Sequence, residues 1–111
     1  MKPISQFNEK LLLEIIANMN RCQDDSVILG IGDDAAAIRF NSEILLISTD
    51  MLVEGIHFRR EFTTAKQLGS KAITVCLSDI ASMGGTPRWV TVSLGIPQHT
   101  DLDEVQEFFR G

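Results

Sequence analysis

The sequence predicts one small domain of the α/β (α+β) class, and three observations carry that reading. Its 111 residues leave room for one hydrophobic core and no second domain. Apolar residues recur at helical spacing in three segments. Between them lie short apolar runs closed by Gly, Asn-Ser or Pro, the punctuation of β-strands.

The elements follow in chain order. Phe7, Leu11, Ile15, Ile16 and Met19 predict a first helix ending near Asn20, with Ser5 as its N-cap. Residues 21–26 are polar and read as a loop. Residues 27–31, closed by Gly32, predict a strand, and residues 36–40 a second. Asn41-Ser42 is a turn signal. Residues 44–49 predict a third strand whose unbroken apolar run implies burial on both faces. Residues 51–62 mix Gly55, His57, Arg59 and Arg60 and read as a loop. Thr63 or Thr64 can cap a long helix running to about Met83, with Leu68, Ala72, Val75, Cys76, Ile80 and Met83 as its apolar stripe. Gly84-Gly85 stops it. Residues 89–96 predict a fourth strand. Thr100-Asp101 then caps a last helix, with Asp103 or Glu104 as the matching acid. That helix carries the adjacent Phe108 and Phe109, a pattern that reads as interrupted at Gly111; the alternative is that it folds back onto the same core.

Composition excludes several function classes. The net charge is −5 and the isoelectric point about 4.8, which argues against a general nucleic-acid binder. An anionic substrate stays possible, because bound Mg²⁺ reverses the sign of a site locally. No apolar run approaches the roughly 20 residues of a membrane span. The N-terminus lacks signal-peptide organisation, so the expectation is a cytoplasmic protein with no membrane partner. Cys22 and Cys76 are expected to be reduced, with Cys76 packing. The P-loop, kinase HRD and DFG motifs, HExxH, the EF-hand loop, GxSxG and Cys/His zinc patterns are all absent.

Three acidic segments carry the chemistry. Gly30-Ile31-Gly32-Asp33-Asp34-Ala35 satisfies G-x-G-x-x-A literally. However, adjacent carboxylates would face the pyrophosphate. Only about ten residues separate Gly32 from the next strong strand, which allows a hairpin return and not a parallel crossover. Paired Asp after a glycine turn suits Mg²⁺, which takes hard oxygen ligands, or simply caps the turn. Ser48-Thr49-Asp50 follows the third strand and could ligate a metal or cap the next loop. Asp79 lies four, seven and eleven residues after Val75, Ala72 and Leu68, on the apolar stripe. An ionised carboxylate there needs a cation, either a metal or one of Lys66, Lys71 and Arg88. His57 has no assignment on residue type alone.

The order GIGDDAA, ISTDMLVEGIHF and KAITVCLSDIASMGGTPRW resembles the N-terminal domain of the thiamine-monophosphate kinases, within the aminoimidazole-ribonucleotide synthetase-like superfamily. The resemblance covers about residues 27–97. It implies a mixed β-sheet with helices packed on one side, and a homodimer formed through that domain. It implies an ATP- and Mg²⁺-dependent kinase that converts thiamine monophosphate to thiamine diphosphate. By motif, Asp34, Ser48, Thr49, Asp50 and Asp79 would bind Mg²⁺, His57 would contact thiamine monophosphate, and Asp33 would support the turn. No residue is assigned a catalytic proton transfer, because the acceptor is already a phosphate oxygen anion. Cys76 stands where the family usually has Asn and cannot reproduce an amide's hydrogen bonds. The family protein is considerably longer, so an isolated N-terminal domain is expected to be inactive. Alternatives are another ATP-using member of the superfamily, of the hydrogenase-maturation or selenophosphate-synthetase type, or a non-catalytic metal-binding or dimerisation module.

Overall fold

A computed structural model describes residues 2–20 and 23–111. Arg21 and Cys22, at the start of the expected 21–26 loop, lie outside the described residues. Two compact units divide the chain, Met1–Ser48 and Thr49–Gly111.

The first unit holds one helix and a three-stranded sheet. Helix α1 spans Glu9–Met19. Its cap is Asn8, not Ser5: the Asn8 side chain accepts from the Leu11 amide at 2.8 Å, while Ser5 lies in a short 3₁₀ turn, Ile4–Gln6. The helix forms where its periodicity predicts, but its apolar face is not buried. Leu11, Leu13, Ile15, Ile16 and Met19 are all exposed.

Strands β1 (Val27–Leu29), β2 (Ala36–Phe40) and β3 (Glu43–Ile47) follow, in spatial order β1-β2-β3. Both pairings are antiparallel. The α+β class holds, but the expected mixed sheet is an antiparallel one among the described residues. Hairpin-length connections allow nothing else, as the Gly32 spacing implies. β1 carries an extra residue across Val27 and Leu29, a bulge immediately before the 30–34 turn. The core of this unit is small: Ala35 and Ala37, at the start of the central strand, are its buried hydrophobics.

β3 corrects one expectation. Its apolar run is not buried on both faces: Ile44 is 57%, Leu45 41% and Ile47 48% exposed. It is an edge strand, and side chains alternate between two faces that have little to cover them.

The second unit is built on helix α2, Ala65–Ser82. Thr64 caps it in a reciprocal box: Thr64 Oγ1 accepts from the Gln67 amide at 3.1 Å and Gln67 Oε1 from the Thr64 amide at 3.0 Å. Its end is a Schellman motif. The Gly84 amide donates to Ala81 and the Gly85 amide to Ile80, with Gly84 at φ +73°. All six predicted stripe residues are half-buried, Cys76 among them as a free thiol.

Helix α3 (Leu102–Arg110) packs against α2. The backbones come close at Gly69, the one buried residue of α2, where a Cβ would overlap the Phe108 carbonyl. The two adjacent phenylalanines part company: Phe108 is half-buried, Phe109 is 63% exposed, and their rings meet edge to face at 5.3 Å.

Two expectations fail in this unit. The N-terminal box of α3 does not form. Asp101 stands at the N-cap position, where its carbonyl accepts from the Glu104 and Val105 amides but its side chain caps nothing, and Thr100 Oγ1 is buried without a hydrogen-bond partner. Glu104, the acid that would close such a box, pairs with Arg60. Residues 89–96 form no strand. Strand propensity measures fit to a pleated, half-buried surface, and here Trp89, Val90, Val92, Leu94 and Ile96 are exposed, with Arg88 over the Trp89 ring at 6.0 Å.

Candidate metal and phosphate site

In the first unit, the bulged end of β1 runs into Gly32, whose φ of +119° is a conformation that L residues rarely adopt. Asp33 and Asp34 follow at once, both exposed, immediately before β2. Asp33 Oδ1 accepts from the Asp34 amide at 2.8 Å, which braces the turn. Lys10, Leu13 and Glu14 of α1 share a shallow depression with Ile31 and Gly32. Ser48 follows directly on β3 and is half-buried.

In the second unit, Thr49 and Asp50 are exposed, and Asp50 Oδ1 accepts from the Met51 amide at 2.8 Å. Covalent continuity keeps Ser48, Thr49 and Asp50 together. Asp79 is half-buried on α2, in line with Leu68, Ala72 and Val75, as its spacing predicts. Ser82 Oγ donates to the Asp79 carbonyl at 2.7 Å.

His57 is exposed in the 51–62 loop, where its surroundings are specific. Its Nδ1 accepts from the Val53 amide at 2.9 Å, and its own amide donates to the Val53 carbonyl at 2.8 Å. Lys71 Nζ donates to the His57 carbonyl at 2.7 Å. The sequence reading treats Lys71 only as a possible partner of Asp79. The contact to His57 spans 14 positions and has no local periodicity to reveal it.

Among the described residues, no three His, Cys, Asp or Glu side chains gather as a metal-binding group within this arrangement. The donor chemistry of the candidate residues is nevertheless uniform. Carboxylates and hydroxyls are hard oxygen ligands, the class that Mg²⁺ takes together with water and substrate phosphates. No helix among the described residues is long and apolar enough to cross a membrane.

Comparison with known proteins identifies the family. The family described as AIR synthase related protein, N-terminal domain, matches residues 32–111, from the Gly32 turn through α3. The thiamine-monophosphate kinase of Escherichia coli (strain K12) is 47% identical over 79 residues, 70% of this chain and 23% of that protein. That of Buchnera aphidicola subsp. Acyrthosiphon pisum (strain APS) is 44% identical over 84 residues, 75% of this chain and 26% of that protein. That of Aquifex aeolicus (strain VF5) is 41% identical over 81 residues, 73% of this chain and 26% of that protein. The chain spans about a quarter of the length of these relatives. No solved structure matches it. With the family match covering Asp33, Asp34, Ser48, Thr49, Asp50, His57 and Asp79 alike, the chain belongs to the AIR synthase related family and carries its N-terminal domain.

Proposed function

We propose that this chain is the substrate- and Mg²⁺-handling N-terminal domain of a kinase that transfers the γ-phosphoryl group of ATP to the phosphate of thiamine monophosphate. The observation that carries the reading is the 47% identity to a thiamine-monophosphate kinase over 79 residues, together with a family match whose bounds, 32–111, hold every candidate ligand. Asp34, Ser48, Thr49, Asp50 and Asp79 hold Mg²⁺; Asp33 supports the turn; His57 contacts thiamine monophosphate. Bound Mg²⁺ supplies charge neutralisation between two polyanions that otherwise repel. In the transfer, the bond from the γ-phosphorus to the bridging oxygen of ATP breaks and one to a phosphate oxygen of thiamine monophosphate forms. That oxygen carries no proton to remove, so no side chain acts as a general base. The protein's part is alignment of donor and acceptor. The same reading has a cytoplasmic homodimer joined through this domain. The exposed apolar residues of β3 and of 89–96 support that assembly.

The test is thermal unfolding with and without Mg²⁺. A ligand present at about 100 times its Kd stabilises a fold by about 2.7 kcal/mol. Mg²⁺ is expected to raise the melting temperature of the wild type and to have no effect on Asp79→Asn. Were the carboxylates only structural caps, Mg²⁺ would change neither protein, and Asp79→Asn would be neutral or stabilising. That pattern would contradict the proposal.

A further inference from the structure

The loop at residues 53–58 closes on itself. The His57 and Ile56 amides both donate to the Val53 carbonyl, at 2.8 and 3.1 Å, and the Gly55 amide donates to the Phe58 carbonyl at 2.7 Å. Gly55 makes this turn with φ +81°, where a side chain would be strained. The Val53 amide then returns to the ring of His57, donating to Nδ1 at 2.9 Å. An imidazole nitrogen that accepts a hydrogen bond carries no proton, so the neutral ring keeps its proton on Nε2. The backbone of the same residue is tied to α2, because Lys71 Nζ donates to the His57 carbonyl at 2.7 Å. A bond from an ammonium is stronger than one between neutral groups.

We propose that Lys71 is a positioning residue: it anchors the His57 carbonyl to α2 while the Val53 amide holds Nδ1, so that Nε2–H is presented as an oriented donor to a phosphate oxygen of the substrate. The clause about substrate rests on the kinase reading above; the anchoring does not. The chemistry suits that role. A ring locked at Nδ1 offers a single directional donor, and an anionic phosphate oxygen is the acceptor that bonds it most strongly. Lys71 acts through the loop, two links from the substrate.

A surface lysine on a loop carbonyl is often inconsequential, so the test uses readouts that an inconsequential bond would not move. In the ¹⁵N-labelled 111-residue chain, the nitrogen–nitrogen coupling across the Val53 N–H to His57 Nδ1 hydrogen bond is measured in the wild type. Amide exchange is then compared in wild type, Lys71→Met and Lys71→Arg. The expected result is a resolved coupling, with Val53 and His57 amides exchanging about tenfold faster in Lys71→Met. The Gly69 amide should be unchanged, and Lys71→Arg, which keeps a cationic donor, should restore slow exchange. Absence of the coupling in the wild type overturns the proposal, as does unaltered exchange in Lys71→Met. The coupling needs no variant, so its absence overturns the proposal even if Lys71→Met fails to fold; in that case Lys71→Gln, which keeps a neutral donor, replaces it in the exchange comparison, and unaltered Val53 and His57 exchange there overturns the role of Lys71. Thiamine monophosphate is then added to the wild type. Movement of the Nε2 resonance supports the substrate clause. An unmoved Nε2 while other amides shift with thiamine monophosphate overturns the substrate clause alone, whereas no shift anywhere in the chain counts against the kinase reading; the anchoring stands in both.

Discussion

Asp33 and Asp50 each turn one carboxylate oxygen onto the amide that follows it in the chain. A carboxylate has two oxygens, so capping a turn and ligating a cation are compatible uses of one side chain. The two readings weighed for these residues from sequence are therefore not exclusive. Asp24 uses the same device in the loop before β1. Its Oδ1 accepts from the Ser26 hydroxyl and amide, and these bonds hold its carboxyl below the usual carboxylate range. A lowered folded-state value contributes stability that is fully present above the unfolded pKa of about 3.9 and is lost as pH falls through the folded value. The stability difference between wild type and Asp24→Asn should thus shrink as denaturation is repeated from pH 5 down to pH 3. A difference that stays constant would show that Asp24 contributes nothing through its charge.

At the scale of elements, the second unit depends on the α2–α3 crossing. Replacing a helix-interior Gly by Ala ordinarily stabilises by about 1 kcal/mol. At Gly69 the new methyl would meet the Phe108 backbone, and overpacking of this kind costs about 1–3 kcal/mol. The clash is with backbone, which cannot rotate aside, so it wins. Gly69→Ala is expected to destabilise the chain by about 1–2 kcal/mol in urea unfolding. Stabilisation would mean that α3 does not sit where described. Local signals were readable in the sequence here. The Thr64 cap, the Gly84 stop, the stripe carrying Asp79 and the Asn41-Ser42 turn all rest on contacts within a few residues. Apart from the cap of α1, where Asn8 takes the place expected of Ser5, what failed depends on distant partners. Residues 89–96 have strand composition but no strand to pair with, the α3 box lost its acid to Arg60, and the apolar faces of α1 and β3 are uncovered. The Lys71–His57 bond was illegible for the same reason.

For the whole molecule, the proposed handling of two phosphorylated substrates by a chain of net charge −5 requires cations to intervene. The acidic residues at 33–34, 50 and 79 each end or line an apolar element, and all fall in the segment matched by the family. Residue type and position raised Mg²⁺ ligation for them beside structural capping or a salt bridge, and the proposed ligand set, like the proposed role of His57, rests on motif resemblance. The most direct test is titration of the ¹⁵N-labelled chain with Mn²⁺ in the presence of ATP, following paramagnetic broadening of backbone amides. Early broadening is expected at Asp34, Asp50 and Asp79 together, reversed by excess Mg²⁺. Uniform broadening, or broadening that spares any of the three, would contradict it.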